Sequence, residues 1–236
     1  MITTENFEDI YIATREKEQR LYTDEQVASL PCIEPTHIHY KEWEIRKRSS
    51  TRLFNRLQQK KKPLTILEIG CGNGWLSAKL AGIKDAEVTG IDINKTELEQ
   101  ARRVFGNKWN IDFLLEDTRD MNMDDAGFDV IVFAASIQYF QSFESIIQAA
   151  MLLLNKNGEI HILDSHFYRN SELDEAANRS LHYYTTLGFN EMANQYFHHP
   201  FSSLKKFNHK ILFDPASIKN KIFNKADPFP WICITI

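Results

Sequence analysis

Cysteine is scarce: the 236 residues hold only Cys32, Cys71 and Cys233, an odd number, far apart and without a C-x-x-C pair. That pattern excludes a disulfide framework and a zinc knuckle, and it reads as reduced thiols in a cytoplasmic protein. No run approaches the roughly 18 uncharged apolar residues that a membrane-spanning helix needs. The acidic opening, Met1 to Glu8, has no apolar centre, so no secretory leader is expected. An excess of charge of one sign is missing as well. The 28 basic and 32 acidic side chains leave a net charge of −4, which gives no general attraction to nucleic acid or an anionic membrane. Glycine and proline number only nine and seven, beside 43% hydrophobic and 25% charged residues. Collagenous and disordered chains are thereby excluded. A chain this long buries roughly 70% or more of its unfolded surface, so its core needs no metal or crosslink.

What is present is an alternation. Leu64 to Ile69 is a short apolar run opened by Pro63 and closed by glycines, as expected of a buried parallel strand. A short helix follows from Trp75 to Ala81, with Trp75 expected in the core. Next come a strand at Glu87–Ile91 and a helix from Lys95 to Phe105 with Asn94 as N-cap. Further strands read at Asp112–Leu115, Phe128–Ala134 and Gly158–Leu163, with a helix from about Phe143 to Leu154 before the last of these. Strands alternating with helices imply βαβ units in a parallel, doubly wound α/β sheet with right-handed crossovers. Two later strand candidates lie at Lys210–Phe213 and Trp231–Ile236.

The ends depart from this rhythm. Residues 1–62 lack strand signals and read as an N-terminal helical cap, and 63–236 as the main domain with an insertion at about 165–207. Tyr40 to Lys62 places Trp43, Ser50, Leu53, Phe54 and Leu57 on one helical side. Residues 41–62 also hold nine basic and two acidic side chains, whereas 63–165 hold eight and sixteen. Basic residues spread round a helix that must pack on one side read as a solvated face, not as a nucleic-acid surface.

Four of the nine glycines, Gly70, Gly72, Gly74 and Gly82, fall within thirteen residues. Three alternate in Glu68-Ile69-Gly70-Cys71-Gly72-Asn73-Gly74, directly after the first strand. Such a turn bends sharply and lets a ligand lie against main chain. A dinucleotide fingerprint needs glycine where Trp75 stands, and a P-loop needs Gly-Lys-Ser/Thr, so neither fits. Residues 64–164, and Ile66 to Ala81 above all, resemble the class I S-adenosylmethionine-dependent methyltransferases. The resemblance implies a Rossmann-like seven-stranded sheet of order 3-2-1-4-5-7-6 with the last strand antiparallel, and S-adenosylmethionine as cofactor with S-adenosylhomocysteine as product.

It also implies a site. Gly70, Cys71, Gly72 and Gly74 form the cofactor loop, and Glu68 orients it or meets the amino-acid end of the cofactor. Asp92 and Ile93, ending the second strand, lie at the ribose. Asp117 and Thr118, after the third, lie at the adenine, and Ala134 opens the loop nearest the methyl group. A lone acid at a strand end is ordinarily a cap, but three acids at the carboxyl ends of three strands point to a ligand. Tyr139 is a candidate wall, while His166, His198 and His199 are candidate bases in the roof. His37 and His39 have no second ligand pair, so no metal is expected. Asn155 to Glu159 is similar to the family's turn before strand five, without its proline and second glycine. After the fourth strand, Ala134-Ala135-Ser136-Ile137 stands where base-amino methyltransferases carry Asn/Asp-Pro-Pro-Tyr/Phe. The expectation is therefore a bacterial enzyme, monomer or homodimer, that methylates a small molecule. A non-catalytic cofactor-binding module and an NAD(P)-dependent oxidoreductase stay open as alternatives.

Overall fold

The computed structural model describes residues 4–117, 127–218, 220 and 227–236. Three helices open the chain: α1 (Thr4–Lys17), α2 (Asp24–Ser29) and α3 (Tyr40–Gln58). Then β1 (Leu64–Ile69), α4 (Trp75–Leu80), β2 (Ala86–Asp92), α5 (Lys95–Phe105), β3 (Ile111–Leu115), β4 (Phe128–Ala134), α6 (Phe143–Leu152) and β5 (Leu154–Leu163) alternate as expected. Beyond them lie β6 (Phe167–Tyr168), α7 (Leu173–Leu187), α8 (Asn190–Ala193), β7 (His199–Pro200), β8 (Asn208–Phe213) and β9 (Trp231–Thr235).

The main sheet has the order β3-β2-β1-β4-β5-β9-β8. The first five strands pair in parallel, and β9 runs antiparallel to both β5 and β8. This is the expected Rossmann-like order, with two additional short strands, β6 and β7, paired in a sheet of their own. Strand β1 shows why the sequence folds this way. Leu64 and Ile66 enter the core on the α3–α5 side, and Leu67 and Ile69 the core on the α6 side, all at most 1% exposed. Alternate residues are thus apolar on both faces, as a covered parallel strand requires. Glu68 shares the parity of Leu64 and Ile66, so it is carried into the same face as α4.

Three boundaries differ from the sequence reading. Helix α3 stops at Gln58, not at Lys62; Lys61 has a positive φ of 51° just before Pro63, which ends the helix. Helix α6 stops at Leu152. The turn read at 155–159 is an irregularity inside β5, whose pairing with β4 jumps from Phe128↔Leu154 to Val130↔Glu159. Asn157 takes up the bend with a φ of 67°.

The basic stretch is a solvated face only in part. Arg48 and Arg52 both reach Asp227 at 2.6 Å, and Asp227 is buried. Arg56 and Lys60 reach Glu159 at 3.6 and 3.1 Å, and Arg46 with Arg20 clamps Glu42. The cations tie α3 to the sheet and to its neighbours, while Trp43 meets Trp75 edge-on at 5.3 Å. Trp75 is 8% exposed, a core residue as expected.

Candidate active site

The carboxyl ends of β1, β2, β3 and β4 open into one cavity of about 640 Å³, within the size range of small-molecule sites. Gly70, Gly72, Asp92, Ile93, Asp117 and Tyr139 line it. Gly70 and Gly72 have φ of 75° and 52°, a region that L side chains rarely adopt. A Cβ at Gly70 would stand 2.5 Å from Ser136 Cβ, and one at Gly72 would stand 3.1 Å from Glu97 Oε2. The backbone is therefore bare where it faces the cavity.

Asp92 is the last residue of β2. Its two oxygens accept from the Gly72 and Asn94 backbone N–H groups, each at 2.8 Å. Burial raises its carboxyl above the usual range, and those amide bonds oppose the rise. Asn94 caps α5 as expected, its Oδ1 accepting from Glu97 N–H at 2.9 Å. Its buried Nδ2 has no partner and lies in the cavity wall. An orphaned donor beside a side-chain-free loop is what a polar, nucleoside-bearing ligand would complete. The donor set therefore fits S-adenosylmethionine.

Other expected residues stand elsewhere. Glu68 is 2% exposed and accepts from Ser77 Oγ at 2.5 Å on α4. It steadies the loop from below and does not line the cavity. Burial raises its carboxyl to about 8, with the Ser77 hydrogen bond opposing. Cys71 is buried, and burial pushes its thiol up. A Cβ on Gly74 would meet Phe113 and Ala101, so Gly74 faces the core. Ala135, with a φ of 54°, and Ser136 line the cavity where Ala134 was expected. Thr118 falls outside the described residues.

The three roof histidines do not line this cavity. His166 rests against Phe229 at 4.6 Å and borders a separate cleft with Glu175 and Arg179. The His198 ring bonds Ser180 Oγ at 2.9 Å, and the buried His199 ring bonds the Ile137 carbonyl at 3.1 Å. Burial lowers the basicity of all three. They are pinned by local partners, and the roof is aromatic instead. Phe7 and Tyr11 from α1, together with Phe197, line the cavity beside Tyr139. The Tyr11 and Tyr139 rings meet edge-on at 5.9 Å. Arg15 donates to Tyr139 Oη at 2.9 Å and lies over the Tyr11 ring at 4.7 Å. Helix α3 contributes no residue to this cavity: Trp43 is used in the core, and α1 lies over the opening.

Among the described residues one cluster has metal-ligand chemistry, namely Glu159, His161 and Cys233. Trp231 Nε1 can only donate, and it donates to His161 Nδ1 at 3.2 Å. That leaves the proton on Nε2, where it is donated to Glu159 at 3.1 Å. With Nε2 protonated and Lys60 on the same carboxylate, the group is a hydrogen-bond chain and not a metal cradle.

A family model described as "Methyltransferase domain" matches residues 60–220. The chain is 36% identical over 118 residues to the O-methyltransferase cnsE of Penicillium expansum, covering 45% of this chain and 43% of that one. It is 32% identical over 118 residues to a malonyl-[acyl-carrier protein] O-methyltransferase of Legionella pneumophila, covering 48% and 41%. The matches thus span less than half the length of these relatives. In fold it is similar to the plantazolicin methyltransferase BpumL solved with a pentazolic desmethylPZN analogue and S-adenosylhomocysteine, at a TM-score of 0.56, 16% identity and coverage of 97% and 98%. With the family model matching well over half of its residues, this chain belongs to the methyltransferase-domain family.

Proposed function

We propose that this protein is an S-adenosylmethionine-dependent methyltransferase acting on a small molecule. The observation that carries the reading is the bare Gly70–Gly72 loop flanked by Asp92 and Asp117 in one cavity with an aromatic wall. The cofactor supplies a methyl group on a sulfonium whose leaving group is a neutral thioether. The protein therefore has mainly to bind, align and exclude water. Gly70 and Gly72 let the ligand approach main chain, and Asp92 anchors the loop while facing the ribose position. Asp117 faces the adenine position. Tyr11, Tyr139, Phe7 and Phe197 shape the acceptor chamber, and Arg15 directs the Tyr139 hydroxyl. Since Arg15 donates to that oxygen, the Tyr139 proton is left to point elsewhere. Helix α1 belongs to the working site, so residues 1–62 and 63–236 act as one unit. No helix among the described residues is long and apolar enough to cross a membrane.

The test is a panel of small hydroxyl, amine, thiol and carboxylate acceptors scored by release of S-adenosylhomocysteine. A hit should lose turnover in Tyr139→Phe and keep it in His166→Ala. Titrations showing NAD binding and no adenosylmethionine binding would replace this reading with a dehydrogenase.

A further inference from the structure

Two carboxylates, not one, face the cofactor loop. Glu97 stands on the first turn of α5 and lines the same cavity as Asp92. Its Oε2 is 3.1 Å from the point where a Gly72 side chain would begin. Asp92 is already engaged by the Gly72 and Asn94 amides. No donor among the described residues reaches the Glu97 carboxylate, although the neighbouring Asn94 Nδ2 is itself unpartnered. An acid at the third position of a helix ordinarily folds back to cap it. Here Asn94 performs the capping, and Glu97 is left directed at the loop.

We infer that Glu97 is a second cofactor-binding carboxylate, accepting a ribose hydroxyl beside Asp92. A vicinal diol offers two donors, and two adjacent carboxylates that repel each other are both satisfied by it. This rests on the cofactor assignment made above. The charge balance around Glu97 agrees. Burial is the largest influence on it, Asp92 the next, and Glu8 on α1 adds to both; Arg15 on α1 and Arg46 on α3 oppose them. Tyr11 and Tyr139 face it uncharged, as does the Cys71 thiol. The outcome is a carboxyl raised to about 7. The ionised form that accepts the ribose hydroxyl is therefore lost as pH falls through neutrality.

The experiment is calorimetric titration of S-adenosylhomocysteine into the 236-residue chain and its Glu97→Gln variant between pH 6 and 8.5, with thermal unfolding of both apo proteins. The wild type should tighten about three- to tenfold from pH 6 to pH 8. Glu97→Gln should bind at least fivefold more weakly at pH 8 and lose most of that pH dependence. Its apo melting temperature at pH 8 should rise, because a repelling charge has been removed. Weaker binding by a more stable protein is a combination that a merely structural residue does not produce. Wild-type affinity and pH dependence in Glu97→Gln would overturn the inference while leaving the enzyme assignment standing. Should Glu97→Gln fail to fold, Glu97→Asp, which keeps the charge on a shorter arm, must bind more weakly with the pH dependence retained; unchanged affinity there also overturns it. Wild-type protein that binds no S-adenosylhomocysteine at any pH would overturn the cofactor assignment itself.

Discussion

The buried acid beneath the loop offers the sharpest test of the energetics. Glu68 is 2% exposed, its carboxyl is raised from the usual 4.5 to about 8, and burial is the chief cause. A carboxyl whose folded value lies above its unfolded one supports the fold most when it stays protonated in both states, below about pH 4.5. As pH rises, the unfolded chain releases the proton first, so stability falls until the folded value near 8 is passed. At about 1.4 kcal/mol per pH unit, that interval sets a ceiling of about 5 kcal/mol. Glu68→Gln keeps the volume and an acceptor for Ser77 Oγ but removes the titration. The variant should lie within about 1 kcal/mol of wild type at pH 5. At pH 8.5 it should be the more stable by a few kcal/mol, which for a chain of this size is roughly 5–10 °C in melting temperature. Calorimetric or urea unfolding of both proteins at the two pH values measures it. A difference that does not change with pH would refute the reasoning, since lost packing or a lost hydrogen bond has no such dependence.

Two further outcomes follow from the geometry. Gly70→Ala forces a side chain onto a φ of 75° and to 2.5 Å from Ser136 Cβ, so cofactor binding measured by calorimetry should be lost with a stability cost of about 1–3 kcal/mol. Asp227→Ala strands Arg48 and Arg52; because both arginines keep some solvent, the cost read from thermal unfolding should be about 2–3 kcal/mol, below that of a fully buried pair.

Much of the sheet was legible because its signal is local. Leu64 to Ile69 and Phe128 to Ala134 are unbroken apolar runs bounded by turn residues, and both fold as central strands. The loop glycines were legible because a positive φ at Gly70 and Gly72 leaves little choice of residue. The rest of the cavity wall and its surroundings were not, for three reasons of different kind. Phe7 and Tyr11 form one aromatic pair on a polar helix, and nothing in that spacing says which distant element they meet. Glu97 sits where a capping acid belongs, and only its distance from Gly72 separates the two roles. The histidines at 166, 198 and 199 carried the right chemistry, yet their fate was decided by nearby partners: Phe229, Ser180 and the Ile137 carbonyl. The basic helix was misread for a similar reason. Its neutralising acids, Asp227 and Glu159, are about a hundred residues or more away in the chain.

Helix α1 shows how a covering element can be held without being locked. Two polar anchors lie along it and a third directly after its last residue. Glu8 accepts from the Thr96 N–H and hydroxyl at 2.9 Å, Arg15 donates to Tyr139, and Tyr183 donates to Glu18 at 2.5 Å. These reach three separate elements: α5, the segment after β4, and α7. Thr14 is the only α1 residue that is buried among those whose side chains are described. The helix is therefore attached by hydrogen bonds, each contributing about 0.5–1.5 kcal/mol, and by the packing of Phe7 and Tyr11 on the Tyr139 ring. Lifting it exchanges those bonds for water at a cost of a few kcal/mol, well below the cost of disturbing α3, whose Trp43, Leu53 and Leu57 are in the core. The N-terminal segment thus divides its labour. Helix α3 is part of the fold, and α1 forms the wall of the cavity that Phe7 and Tyr11 line.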